Sequence, residues 1–363
     1  MAERVMKHLS LFAAIVLSVT GLQSCTKNDP SASSKPIMLR VNTIDTKSST
    51  ITNSNLNRFQ IIAIADDGWH DNEGNYSAGV YFTDQAVKSG STWNMGSHFW
   101  LNNVNLHFWS FAPVGTEPYS AEDGRLSITS PSVSSDKLSF SYALPKPSPA
   151  GSDASNQKDI VFAGNSEKRS YKADGSLDSS SSRNDNNVDI HFYHPLSEIQ
   201  FAISPTDGSF DIEGLGIKAI TIKNICGSGS CQFTIPSTFA WTPDSGDKND
   251  YSQNCNTVFN STSTAPTGWS KGNFTDSDSN TQTMFVYDNP FFMIPQTLSG
   301  KNNLSVTFVK KSDGTEINKE VTLGDTWKPS KYHKYKLSAK TLGHDVEFSA
   351  TVMDWEEDVI EVN

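Results

Sequence analysis

Cysteine is scarce in this chain, four in 363 residues, so the fold is not one of the small scaffolds that depend on disulfide staples. Long apolar runs are lacking as well. The one extended stretch, Leu9 to Gly21, is 13 residues, short of the roughly 17–25 that a membrane-spanning helix requires. No sustained 3.6-residue apolar period occurs, which argues against an all-α protein. There is no P-loop, no G-x-S-x-G elbow and no H-E-x-x-H pair, so the common nucleotide and hydrolase chemistries have no carrier. Basic residues are in deficit, 29 Lys and Arg against 40 Asp and Glu for a net charge of −11. Such a balance disfavours nucleic acid and anionic lipid surfaces as partners.

What is present begins at the N-terminus. Arg4 and Lys7 precede the short apolar stretch, which ends in Leu22, Gln23, Ser24 and Cys25. A basic start, a short apolar segment and a small residue before cysteine form a bacterial lipoprotein export signal. Residues 1–24 are expected to be removed and Cys25 to be lipidated. Two or three acyl chains, at about 0.8 kcal/mol per buried CH₂, anchor a protein firmly, whereas one chain does so only marginally. The expected location is a membrane surface, with the protein lipid-anchored and not spanning. Removal of Glu3, Arg4 and Lys7 takes away a net +1, so −11 becomes −12.

Beyond a polar tether over 25–35, Ile37, Leu39 and Val41 alternate with Met38, Arg40 and Asn42, the period of a β-strand. A polar gap from Asp45 to Asn57 precedes a second strand, Phe59 to Ala65. The same texture continues downstream, with short runs rich in Val, Ile, Phe and Tyr broken about every ten residues by Gly, Asn, Asp, Ser or Pro. The chain is therefore read as all-β. Two polar segments, Lys146 to Asn187 around a strand at Asp159 and Thr242 to Thr283, are expected to be surface excursions with little core. Because fresh strands follow the first of these, the division is placed at 36–187 and 188–363. Cys226 and Cys231 flank Gly227 to Ser230, so a hairpin with a cross-strand disulfide is a candidate, with Cys255 left over or taking one of the two as partner.

Several residues invite a chemical reading. His191 and His194 lie three apart on an expected strand, hence on opposite faces and ill-placed to share a metal. His98 and His107 are separated by a loop. Glu356, Glu357 and Asp358 are adjacent, whereas paired acid and base chemistry needs carboxylates facing across a cleft. No metal, cofactor or catalytic residue is expected. Trp69, Tyr76, Trp93 and Trp100 are candidates for a sugar-stacking platform, although most of them are expected to plug the ends of a sandwich.

In order along the chain, Trp93, Phe99 and Trp100, then Leu106 to Pro113, Asp159 to Ala163, Val188 to Ile203, Phe292 to Leu298, Trp327 with Tyr332 and Tyr335, and finally Val352, Asp354 and Trp355 follow a known pattern. Behind a lipoprotein signal, this series resembles the fimbrillin lipoproteins of Bacteroidales, subunits of type V pili. The resemblance implies two transthyretin-like β-sandwich domains in tandem and a structural or adhesive subunit of a cell-surface fimbria. It also implies that a trypsin-like protease removes the first strand, Ile37 to Val41, by cutting after a basic residue. Lys47 stands at the pattern's usual spacing, where many members carry arginine, and Arg40 is the second candidate. The vacated groove then accepts a strand from another subunit by β-augmentation. Expected partners are other pilin subunits, the outer membrane through the lipid, and a host protein or glycan. The alternative is a surface glycan-binding lipoprotein of a polysaccharide-uptake system.

Overall fold

A computed structural model describes residues 32–44, 51–52, 54–66, 79–114, 126–128, 136–145, 157, 159–275, 281–301 and 303–353. Every regular element among them is a β-strand, as the short alternating runs predict. The chain opens with β1 (Ala32–Pro36) and β2 (Met38–Ile44). Next, β3 (Arg58–Ala65), β4 (Gly79–Ser89) and β5 (Thr92–Asn94) form an antiparallel meander. β6 (Phe99–Leu101) pairs with β1, and β7 (Asn105–Ala112) returns along the other edge of β3. After β8 (Leu126–Ile128) and β9 (Lys137–Ala143) leave this sheet, β10 (Val161–Lys168) rejoins it beside β7. The result is a five-stranded sheet in the order β10-β7-β3-β4-β5. Finally, β11 (Asn187–Phe192) takes β2 as a parallel partner.

The sequence of β3, with its unbroken Ile61 to Ala65, explains its place. A strand that is apolar on both faces needs cover on both, and β3 has it. Phe59, Ile61 and Ala63 join Leu39, Phe108, Val188 and Phe192 in one cluster, beneath β2 and β11. Ile62 and Ile64 point the other way, into a second cluster with Trp109, Phe140, Phe162 and Phe233. Phe140 stacks on Phe162 at 4.3 Å between ring centroids, and Trp109 meets Phe233 edge-on at 5.4 Å. Gly164 makes room there, because a Cβ would lie 2.9 Å from the Trp109 ring.

The remaining strands are β12 (Ser197–Ile203), β13 (Leu215–Cys226), β14 (Ser228–Thr234), β15 (Thr238–Pro243), β16 (Lys248–Val258), β17 (Trp269–Thr275), β18 (Thr281–Tyr287), β19 (Phe291–Met293), β20 (Leu304–Lys310), β21 (Glu316–Val321), β22 (Tyr332–Leu342) and β23 (Asp345–Met353). One sheet runs β17-β18-β12-β22-β23, with β19 also on β12, and another runs β16-β13-β20-β21. Their inner faces supply Phe201, Ile217, Ile220, Phe308 and Tyr335 to a common core. A last sheet, β15-β14-β9-β8, joins strands from either side of Asn187: β9 pairs with β14 from Lys137↔Thr234 to Ala143↔Ser228.

Three expectations require correction. The hairpin between Cys226 and Cys231 does not form. β13 pairs on both edges with β16 and β20, and the chain turns at Gly227 so that β14 pairs with β9 and β15 in another sheet. Cys226, Cys231 and Cys255 are free thiols.

The segment Thr242 to Thr283 is not a coreless excursion. It holds β16 and β17, with Tyr251, Phe259 and Trp269 buried. A strand with one solvated face needs few apolar residues, and here polar ones dominate the composition.

Lys146 to Asn187 likewise carries the fully buried Arg169, and β10 runs on to Lys168.

Candidate functional site

The segment Ile37 to Val41, which the structure places at the start of β2, and its seat are the part of the molecule to which the sequence assigns a task. Ile37 and Leu39 are buried in the cluster beneath β11, whereas Met38 is 54% exposed. The Ile37 N–H donates to the His98 carbonyl at 2.8 Å, and the Met38 N–H to the Asn186 carbonyl at 3.1 Å. Successive backbone groups thus point to opposite sides. Among the described residues, however, β11 is the single strand in the ladder of β2. The other side borders a groove of about 580 Å³, lined by Met38, Arg40, Trp93, Met95 and His98 among others.

Charge reinforces the ladder. Arg40 Nε donates to Asp189 Oδ1 at 2.6 Å, and its Nη2 lies 3.5 Å from Asp185. Arg183 pairs with the second oxygen of Asp189. Burial works against ionisation of Asp189, but the hydrogen bonds of Arg40 and Arg183 prevail and hold its carboxyl below the ordinary range. The bond to Asp189 raises the Arg40 guanidinium correspondingly.

Beneath this lies a device that no sequence pattern marked. Arg169 has no exposed surface. It donates to the Asp185 carbonyl at 2.7 Å, the Asn187 carbonyl at 2.9 Å and Glu167 at 2.8 Å, and lies over the Trp100 ring at 4.3 Å. The Trp100 Nε1–H donates to the Asn186 carbonyl. Together they fix residues 185–187, where β11 begins and β2 first pairs. A buried guanidinium persists only when its donors are satisfied, and a lone arginine in a polar stretch gives no sign of that in sequence.

The other singled-out residues are dispersed. Trp100 is buried and cannot serve a sugar platform; Trp93 is half-buried, with Phe59 at 4.9 Å and the Lys88 ammonium over its ring at 5.8 Å. His98 lies 2.9 Å from Asp84 and stacks on Phe82; burial opposes ionisation of Asp84, but hydrogen bonds from His98 and the Gly96 N–H keep it below the usual range. His107 sits between Asp66 and Asp136, His194 on Asp159, and His333 on Asp325. His191, half-buried on β11, packs on Tyr193.

Among the described residues no three metal-ligating side chains converge. Cys25, Lys47, Trp69, Tyr76, Glu356, Glu357 and Asp358 lie outside the described residues.

Fold and site define an all-β protein with a strand near its N-terminus, β2, laddered along one edge only among the described residues. The Fimbrillin-like family model matches residues 40–355, and the chain belongs to that family. It is a fimbrial or adhesive protein of the cell-surface fimbria, associated with other fimbrial subunits, and not an enzyme.

Among solved structures, a candidate cell adhesion protein from Bacteroides uniformis aligns with 88% of this chain and 98% of its own, at 11% identity and a TM-score of 0.43. One from Bacteroides ovatus aligns over 89% and 99%, at 12% identity and 0.42. The fimbrial anchor protein Mfa2 from Porphyromonas gingivalis aligns over 88% and 99%, at 10% identity and 0.30. No curated protein matches the chain.

Proposed function

We propose that the protein is a fimbrial subunit assembled by strand exchange, in which β2 is a placeholder that a strand of a neighbouring subunit replaces. The supporting observation is the seat of β2: one paired edge, a buried Leu39 with the buried Ile37 just before it, and one exposed ion-pair anchor, Arg40. A groove emptied of β2 would present an unpaired edge of β11 beside the apolar surface of Val188, Ile190 and Phe192, and an incoming strand satisfies both.

The cut that frees β2 falls after Lys47 in this reading. Arg40 is a poorer site, because a protease needs an extended, accessible segment and Arg40 stands within the ladder opposite Asp189. Cys25 carries the lipid that holds the precursor at the outer membrane, and host protein or glycan contacts follow assembly. Glycan binding as the main role is disfavoured, since Trp100 is buried and Trp93 is flanked by Phe59 and Lys88.

The test is mild trypsin treatment of the purified chain followed by N-terminal sequencing and a peptide-binding assay. A new start at Ser48, with gain of affinity for a strand peptide from a neighbouring fimbrial subunit, is expected. Loss of residues up to Lys47 without any gain of peptide binding rejects strand exchange. Saturable polysaccharide binding by the uncut protein would favour the glycan-binding alternative.

A further inference from the structure

In the centre of the β17-β18-β12-β22-β23 sheet, the ladder sets an amine, an amide and an acid at neighbouring register positions. β12 and β22 run parallel with Gln200 opposite Lys334 and Glu198 opposite Tyr332. Side chains alternate along a strand, so Ile199, Phe201, Tyr335 and Leu337 enter the core while Glu198, Gln200, Tyr332 and Lys334 share the opposite face. Glu198 and Gln200 are nonetheless buried.

Gln200 Nε2 donates to Glu198 Oε1 at 2.8 Å. Neighbouring strands are about 4.8 Å apart, well within the reach of the four-carbon lysine stem. Burial pushes the Lys334 ammonium down to about 8, with Glu198 pulling the other way, so much of this residue is neutral amine at mildly alkaline pH. A desolvated neutral lysine is a competent nucleophile.

We propose that Lys334 and Gln200 join in an intramolecular isopeptide bond with Glu198 as proton carrier. Lys334 Nζ attacks Gln200 Cδ and a C–N bond forms. Glu198 accepts a proton from Nζ and passes it to Gln200 Nε2, the Cδ–Nε2 bond breaks, and one ammonia leaves. The exchange of one amide for another changes no oxidation state and needs no co-reactant. Glu198 already contacts Nε2, the nitrogen that must depart, and lies two residues along β12 from Gln200, the register partner of Lys334. The product ties two central strands covalently and closes residues 200–334 into a loop, so that tension along the chain bypasses the ladder between them.

Peptide mapping by mass spectrometry of the full chain, after incubation at about pH 9 where the amine is neutral, decides the matter. A branched peptide joining the Gln200 and Lys334 segments, lighter than their sum by one ammonia, is expected in the native protein and absent in Lys334→Arg. Lys334→Met serves if the arginine variant does not fold. In Glu198→Gln the branched peptide should fall at least tenfold. Recovery of the two segments as separate, unmodified peptides from the native protein overturns the proposal, and an unchanged yield in Glu198→Gln overturns the part given to Glu198.

Discussion

β2 and β13 are both apolar strands, yet they are held in opposite ways. β13 spans 12 residues and is laddered on both edges, by β16 and by β20, with Leu215, Ile217, Ile220 and Ile222 fully buried. β2 spans seven, is laddered on one edge, and leaves Met38 largely in water. Its cohesion with the rest depends on Ile37, Leu39 and the Arg40 contacts. The contrast separates a strand whose removal would open the core from one whose removal would leave the five-stranded sheet paired as before.

The strongest way to break this comparison is truncation on each side. Ile220→Ala should cost about 2–5 kcal/mol, the usual range for a fully buried isoleucine, read from the urea midpoint; a loss below about 1 kcal/mol would show that β13 is not the better-held strand. Leu39→Ala should cost less, and its effect should appear locally. Native-state hydrogen exchange should report faster opening of residues 38–44 with little change at residues 215–226. Equal loss of protection in both would mean that β2 opens only with the whole molecule.

Arg40→Ala should have a smaller consequence, and one that depends on salt. Trypsin should release the N-terminal segment faster than from the unaltered protein at low ionic strength, and at the same rate in concentrated salt. The acid limb provides a separate check. The Asp189 carboxyl is held below its ordinary value, so its contribution is present above that value and is lost as pH falls through the lowered one. Protection of β2 should therefore stay level from neutral pH down to about 5 and decline only in stronger acid, and Asp189→Asn should abolish that decline.

The smallest effect is chemical. Burial pushes the Cys255 thiol on β16 up to about 12 and raises Cys231 and Cys226 as well. None should react with an alkylating reagent at pH 8 until the chain unfolds, as peptide mapping would show. Rapid native labelling of Cys255 would mean that β16 parts from β13 as readily as β2 parts from β11.

The all-β class and most strands were legible because the period of two survives in segments such as Tyr332 to Ala339, whose residues alternate between half-buried and buried. The edge strand Lys248–Val258 was not legible. Lys248, Asn249, Asp250, Gln253 and Asn254 swamp the few residues that matter, Tyr251 above all. The cysteine hairpin was misread because four small residues between two apolar runs suit a tight turn, while the partner that claims β14 is β9, far away in sequence. Ile37 to Val41 was recognised as a strand, and its partner β11 was not, since parallel pairing leaves no local turn to mark it. Arg169 was invisible for a different reason: its role is set by carbonyls of Asp185 and Asn187, and backbone groups carry no sequence letter.

The ladder between β9 and β14 bears on how the protein is handled at the bench. A fragment stopped near Asn187 would retain β9 but lose β14 and β15, baring Phe140 and Tyr142 along an open strand. Such a fragment should clump during expression, and clones intended to yield either half alone are better designed to carry residues 137–143 together with 228–243.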